Sequence, residues 1–248
     1  MLKIENTEVV GWEHAIRGMR NPKNSWAKSD SHWDYVNQRP EYLTVAHFDD
    51  ANFNIGPNDK KLMSTLRNAG TDHRKFMRMI TVYLDITAPL YWWKEFDTYK
   101  VGTVANSCST MHKIHAKEFT LEDFSCEHLL SLMSKDDERT VPIIDVSPCH
   151  YETIMYSPNG WLIGTIYLLN ECRKWYLETN DKKYWWQMIQ LLPSSYNQRR
   201  TVMLNYEVLA NIYKSRRNHK LTEWHTFCDW IESLPYSEII TQKAVGIE

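Results

Sequence analysis

The residues with most capacity for chemistry lie near the C-terminal end, where the segment from about Thr201 to Arg217 reads as a helix. At 100° per residue, Leu204, Val208, Leu209, Ile212 and Tyr213 share one broad apolar face, and Asn205 and Arg216 fall inside it. Eleven positions apart, the two differ by roughly 20° in direction, and if the helix continues, His219 and Glu223 lie close to the same line. An unpaired Arg or Asn on a buried stripe costs several kcal/mol, so each needs a partner. An internal carboxylate would serve, and so would a phosphate or a pyrimidine carbonyl at the helix end. A second polar set, Thr103, Asn106, Ser107 and Ser109, lies in the small-residue run 101–110, directly after Lys100. Such a run lets backbone N–H groups approach a phosphate or a ring edge, and it equally suits tight helix packing through Gly102 and Ala105. Arg199 and Arg200 form a third, cationic feature.

Other constellations are weaker. Cys108, His112, His115, Cys126 and His128 include His-x-x-His and Cys-x-His, but without the paired cysteine spacing of zinc sites no metal is expected. The acidic pairs Asp49-Asp50 and Asp136-Asp137 sit in polar stretches and read as surface. Trp92-Trp93 and Trp185-Trp186 could stack on a planar ligand, although most such pairs are core; Trp93 is the best placed of them.

The elements that must position these groups read as a mixture. Residues 2–10 alternate as a first strand, and 12–20 form a short helix. Between Asn21 and Pro57 three prolines and many Asn, Asp and Ser predict loops and broken helices. Residues 58–69 resume a helical pattern that Gly70 ends. A strand over 77–86 follows, then a helix capped by Thr87 that carries YWWKEFDTYK. The stretch 120–150 reads as an irregular surface insertion. From Trp161 to Glu178 a long helix should bury Trp161, Thr165, Leu168, Cys172 and Trp175, and a shorter one covers 181–191. With no linker or repeat, 1–248 reads as one α+β domain, a central antiparallel or mixed sheet flanked by long helices.

Composition narrows the function classes. A net charge of −2 gives no long-range attraction to nucleic acid or an anionic membrane. Five cysteines in a 248-residue chain, irregularly spaced, read as reduced thiols. The start Met-Leu-Lys-Ile-Glu-Asn lacks the apolar core of a signal peptide, so a cytoplasmic protein is expected.

Leu192-Pro193, eleven residues, Asn205, then Arg216, His219 and Glu223 form a pattern that resembles the C-terminal stretch of the flavin-dependent thymidylate synthases. There the helix bears Leu-Arg followed by His-Ala-Gln and Glu; here the His comes one residue early, and Lys220-Leu221 replaces Ala-Gln. Asn106-x-x-Ser109 fits the second half of the family signature Arg-His-Arg-x-x-Ser-x-Asn-x-x-Ser-x-Arg. Its Arg-His-Arg positions are occupied by Tyr99-Lys100-Val101, or in a register shifted by one by Thr98-Tyr99-Lys100, and Met111 stands at the last Arg. Of the Gly-His-x-Ser motif only Gly70 is in place. The likeness spans about four fifths of the chain in element order.

The resemblance implies a homotetramer that methylates dUMP reductively, with methylene-tetrahydrofolate supplying the carbon and FAD, reduced by NADPH, the hydride. It places Arg216 in the catalytic site, with Asn205, Arg199 and Arg200 beside it on the nucleotide. Lys100, Thr103, Asn106, Ser109, Asn205 and His219 fall to the cofactor. Loss of Arg-His-Arg leaves a second reading open: a non-catalytic relative that keeps the fold and a nucleotide pocket.

Overall fold

The structure, a computed structural model, describes residues 1–35, 51–130 and 157–242. Asp49-Asp50, Asp136-Asp137, Cys149 and most of the stretch 120–150 lie outside the described residues. The chain is α+β, with helices α1 to α8 and a four-stranded sheet in the order β1-β4-β6-β5. Two compact units emerge: one of residues 1–3, 86–97 and 106–200, the other of 4–85, 98–105 and 201–248.

The second unit begins with β1 (Lys3–Val10, its first residue in the other unit) and α1 (Trp12–Arg20). Trp12, Ala15, Ile16 and Met19 recur at helical spacing and are all buried. Gly11 joins the two elements at φ 93°, and a Cβ there would lie 2.2 Å from the Met79 carbonyl oxygen, so only glycine fits. The stretch expected to be loops holds short 3₁₀ turns at Asn21–Lys23 and Trp26–Lys28, but also an antiparallel pair, β2 (His32–Tyr35) with β3 (Ala51–Asn54). That pair escaped the sequence reading because its partners are brought together across a long separation, which no local pattern records.

Helix α2 (Pro57–Asn68) carries Pro at its first turn and is followed by Gly70 at φ 106°, as the sequence predicts. Its Asp59 is fully buried and accepts five donors: Arg20 Nε at 2.6 Å, both the hydroxyl and amide of Ser31, the Ser29 hydroxyl and the Asp30 amide. Arg20, itself 3% exposed, also donates to the Ser25 carbonyl. This closed network pins the turns after α1 to the start of α2.

A 3₁₀ stretch (Arg74–Met79) precedes β4 (Thr81–Pro89), whose final residues belong to the other unit. The strand thus starts later than 77 and swallows Thr87; Pro89, not Thr87, stands at the cap of the next helix. Past β6 (Asn197–Asn205) come α6 (Tyr206–Arg216), α7 (Thr222–Ser233) and α8 (Glu238–Thr241). In this unit Trp12 packs edge-on against Tyr206 and Tyr236, each with ring centroids 5.2 Å apart.

The helix expected over 201–217 therefore begins as strand, with 201–205 closing β6 and α6 starting at Tyr206. Gln198, Val202 and Leu204 are buried with period two, and the chain turns helical only after Asn205. The extended continuation to His219 and Glu223 also fails, since α6 stops at Arg216 and Glu223 belongs to α7.

In the first unit, α3 (Leu90–Phe96) buries Trp92, Trp93 and Phe96, and ends well short of Lys100. The small-residue run contains a strand, β5 (Val104–Ser107). Helices α4 (Pro158–Thr179) and α5 (Lys182–Leu191) cover a core of Ile114, Phe119, Phe124, Leu162, Leu169, Cys172 and Met188. Of the expected stripe of α4 Cys172 is buried, but otherwise the buried positions are offset by one residue: Leu162 and Leu169 point inward while Trp161 is 61% exposed and Leu168 and Trp175 are exposed too. A helix apolar almost all round gives periodicity little to choose between its faces. Cys108, Cys126, Cys172 and Cys228 form no disulfide.

Candidate functional site

The expected site residues divide between the units: Lys100, Thr103, Asn205, Arg216 and His219 fall in one, Asn106, Ser109, Arg199 and Arg200 in the other.

In the former, the segment 98–105 contacts both ends of α6. At the N-terminal end Asn205 is the cap: its side-chain oxygen accepts from the amides of Glu207 at 3.1 Å and Val208 at 3.0 Å. Gly102, at φ 81°, packs against that cap; a Cβ would come within 2.8 Å of Asn205 Nδ2. Thr103 follows, and its buried hydroxyl has no hydrogen-bond partner among the described residues. Lys100 is exposed.

At the other end, Arg216 Nε donates to Tyr99 Oη at 2.9 Å, and its guanidinium lies 4.8 Å from the Trp224 ring centroid and 5.7 Å from that of Tyr99. Trp224 is fully buried, so the cation rests on an immobile aromatic face. His219 packs edge-on against the same indole at 6.3 Å, its Nδ1 accepts from the Leu221 amide, and its carbonyl lies 2.7 Å from His225 Nε2. Arg216, Tyr99, Trp224 and His219 form one cluster. Eleven helical residues put Asn205 about 16 Å from Arg216, at opposite ends of α6. Asn205 satisfies its polar group by capping. Sequence reasoning missed Tyr99 and Trp224 as the clamp of Arg216; their only advance signal was an aromatic residue beside a signature position.

In the other unit, Arg200 is committed internally. It donates to Asp97 at 2.8 Å and to Gln198 Oε1 at 3.0 Å, and its guanidinium stacks 4.1 Å from the Trp93 ring centroid. Trp93, 1% exposed, gives its indole N–H to the Gln198 carbonyl, which makes it core and not a stacking platform. Arg199 is exposed, and its carbonyl accepts from the Cys108 amide. Asn106 and Ser109 are exposed, with the Ser109 hydroxyl accepting from the His112 amide. Trp186 is 48% exposed, and Trp185 donates to the Met111 carbonyl. Among the described residues no group of His, Cys, Asp and Glu is placed to hold a metal ion.

No family model matches the sequence, and no curated protein matches it. Solved structures do. The flavin-dependent thymidylate synthase ThyX from Helicobacter pylori, complexed with FAD and dUMP, aligns over 96% of this chain and 97% of its own, with a TM-score of 0.59 and 16% identity. A UMP/dUMP methylase, PolB from Streptomyces cacaoi, bound with 5-Br UMP, aligns over 98% and 94%, with a TM-score of 0.56 and 13% identity. At such identities what is shared is the fold, and this chain folds as the flavin-dependent thymidylate synthases fold.

Proposed function

We propose that this chain binds a uracil nucleotide of the dUMP class at Arg216, in support of reductive methylation of dUMP to dTMP. The observation that carries the reading is the clamp on Arg216. A guanidinium set on a buried indole and oriented by a phenol is presented in one geometry, which suits recognition of a pyrimidine carbonyl or a phosphate. The solved relatives add weight, since their structures hold dUMP or 5-Br UMP within the same fold.

For FAD the fit of this chain's residues is partial. Lys100 offers the one cation at the positions of Arg-His-Arg, and the unpartnered Thr103 hydroxyl offers a donor. Asn106 and Ser109, both exposed, are further polar groups that the resemblance gives to the cofactor. Bound there, FAD would supply the hydride, with NADPH as reductant and methylene-tetrahydrofolate as carbon donor. Arg200 adds no free charge, being paired with Asp97. That pairing favours a second reading, a nucleotide-binding relative without flavin chemistry.

The same reading makes the protein a cytoplasmic homotetramer. Trp161, Leu168 and Trp175, which share one exposed line along α4, support an interface on that face, and no helix of the described residues is long and apolar enough to cross a membrane. Light scattering on the purified chain measures the subunit count.

Calorimetric titration with dUMP, alongside visible absorbance after soaking in FAD and desalting, tests both readings. Wild type should bind dUMP and Arg216→Ala should bind it at least about tenfold more weakly, for loss of a charge-assisted bond. Retained flavin absorbance supports the synthase; dUMP binding without it supports the relative. Absence of any dUMP binding by wild type would sink the proposal.

A further inference from the structure

A cavity of about 400 Å³ opens elsewhere in the unit that holds α6, between the C-terminal end of α2, the turn at Gly70, one face of α6 and the end of α8. Its lining includes four cations, Arg67, Arg74, Lys214 and Arg217, and among the described residues no carboxylate. In a chain whose net charge is −2, that is a local concentration of one sign.

Glu207, the acid paired with Arg74, is already shared. Arg74 Nε donates to one of its oxygens at 3.2 Å, and Arg78 pairs with the other. Arg74 also reaches Asn211 Oδ1, at 3.3 Å. Arg67 is fixed by donating to the carbonyls of Ile239 at 2.8 Å and Ile240 at 3.0 Å, the last turn of α8. Those bonds use Nε and one terminal nitrogen and leave the second terminal nitrogen without a described partner. Burial, and then the charge of Arg74, hold the Arg67 guanidinium below its ordinary pKa. Arg217 lies over the Tyr213 ring at 5.1 Å, and among the described residues neither it nor Lys214 has a carboxylate partner. Lys214 and Arg217 are three apart on α6 and its cap, so both reach the same opening.

We propose that this cavity binds a phosphate-bearing small molecule, with Lys214, Arg217 and the open edge of Arg67 gripping a multiply charged phosphate or diphosphate group. A pocket of this size takes a small ligand, and guanidinium forks match phosphate oxygens two at a time. Multiple charge is favoured because one carboxylate would leave most of the surplus uncompensated. The site uses none of the residues proposed to contact dUMP or FAD, and it stands whether or not that reading holds.

Calorimetric titration with pyrophosphate at matched ionic strength decides it, with inorganic phosphate as a second arm that asks whether one phosphate suffices. Matching the salt matters because bulk screening alone weakens any exposed charge pair. Wild type should bind pyrophosphate, and the double variant Lys214→Gln, Arg217→Gln should raise the Kd at least about tenfold. Both side chains are exposed, so the variant should keep the wild-type circular dichroism. Lys214→Arg should stay within a few-fold of wild type, since it keeps the charge, and Arg216→Ala should bind pyrophosphate as wild type does. Failure of wild type to bind, an unchanged Kd in the double variant, or equal weakening in Arg216→Ala would each overturn the assignment.

Discussion

Asp59 and Glu207 are both buried carboxylates facing arginine, yet their surroundings differ in kind. Asp59 has one cation, Arg20, on Oδ1, and its Oδ2 accepts from four hydroxyls and amides of residues 29–31. Glu207 has two cations, Arg74 and Arg78, and beyond them Arg67, Lys214 and Arg217 face a cavity that no acid of the described residues lines. The first network is closed, so its energy goes into holding α1, α2 and the turn between them. The second has surplus charge over open space, which is the arrangement that leaves room for an anion. Identical residue types thus serve structure or binding according to whether their valences are filled within the chain.

The largest effect should come from breaking the closed network. Asp59→Ala strands a buried guanidinium and should cost about 3–5 kcal/mol in urea unfolding. A cost below about 1 kcal/mol would mean the network is not the clamp described.

Glu207→Gln should cost less, about 1–3 kcal/mol, because Arg78 is solvent-exposed and Arg74 keeps Asn211. The same variant should bind pyrophosphate more tightly than wild type, having lost the acid that pairs with the cavity's Arg74, whereas Asp59→Asn should leave that affinity unchanged. Opposite signs of effect on stability and on anion binding at Glu207 are what separates the two regions.

Acid titration offers a finer comparison. Burial alone would raise the Glu207 carboxyl, but hydrogen bonds and charge from Arg78 and Arg74 outweigh it and hold the group below its ordinary 4.5. Burial would likewise raise Asp59, and bonds from Ser31, Ser29, Arg20 and the Asp30 amide bring it below its ordinary 3.8. For a carboxyl depressed in the folded state, the stabilisation is complete above the unfolded value and is lost as pH falls through the folded one. Unfolding free energy measured at stepwise lower pH should therefore begin to fall below 4.5 in wild type, with a shallower onset in Glu207→Gln. Asp59→Asn should instead flatten the curve below 3.8.

The smallest expected effect is on the stability of Arg217→Gln, within about 0.5 kcal/mol of wild type, since the residue is exposed and its ring contact with Tyr213 is partial. Denaturant midpoints check it. A clear gain in stability would support the cavity as a site of like-charge strain, and a clear loss would make Arg217 structural.

Much of the frame was open to the sequence. Trp12, Ala15, Ile16 and Met19 declare α1 by spacing alone, Pro57 and Gly70 bracket α2, and Leu192-Pro193, Asn205 and Arg216 stand at intervals that resemble those of the fold later found in the structural comparison. These signals are local, and local chemistry acts whatever the rest of the chain does: a proline cannot donate, and a left-handed turn favours glycine.

Tertiary structure decided what local pattern leaves degenerate. Val202 and Leu204 suit a strand or a helix equally, and only the place of β6 between β4 and β5 in the sheet makes 197–205 extended and turns Asn205 from a stripe residue into a cap. Arg200 and Arg216 read alike in sequence. Asp97, 103 positions from Arg200, pairs with one of them, while Tyr99 and Trp224 set the other on an aromatic face. The cavity cations likewise come from α2 and the turn after it and, well over 100 residues later, from α6 and its cap. Charge pairing and burial depend on distance in space, and that distance is set by the packing of the whole chain.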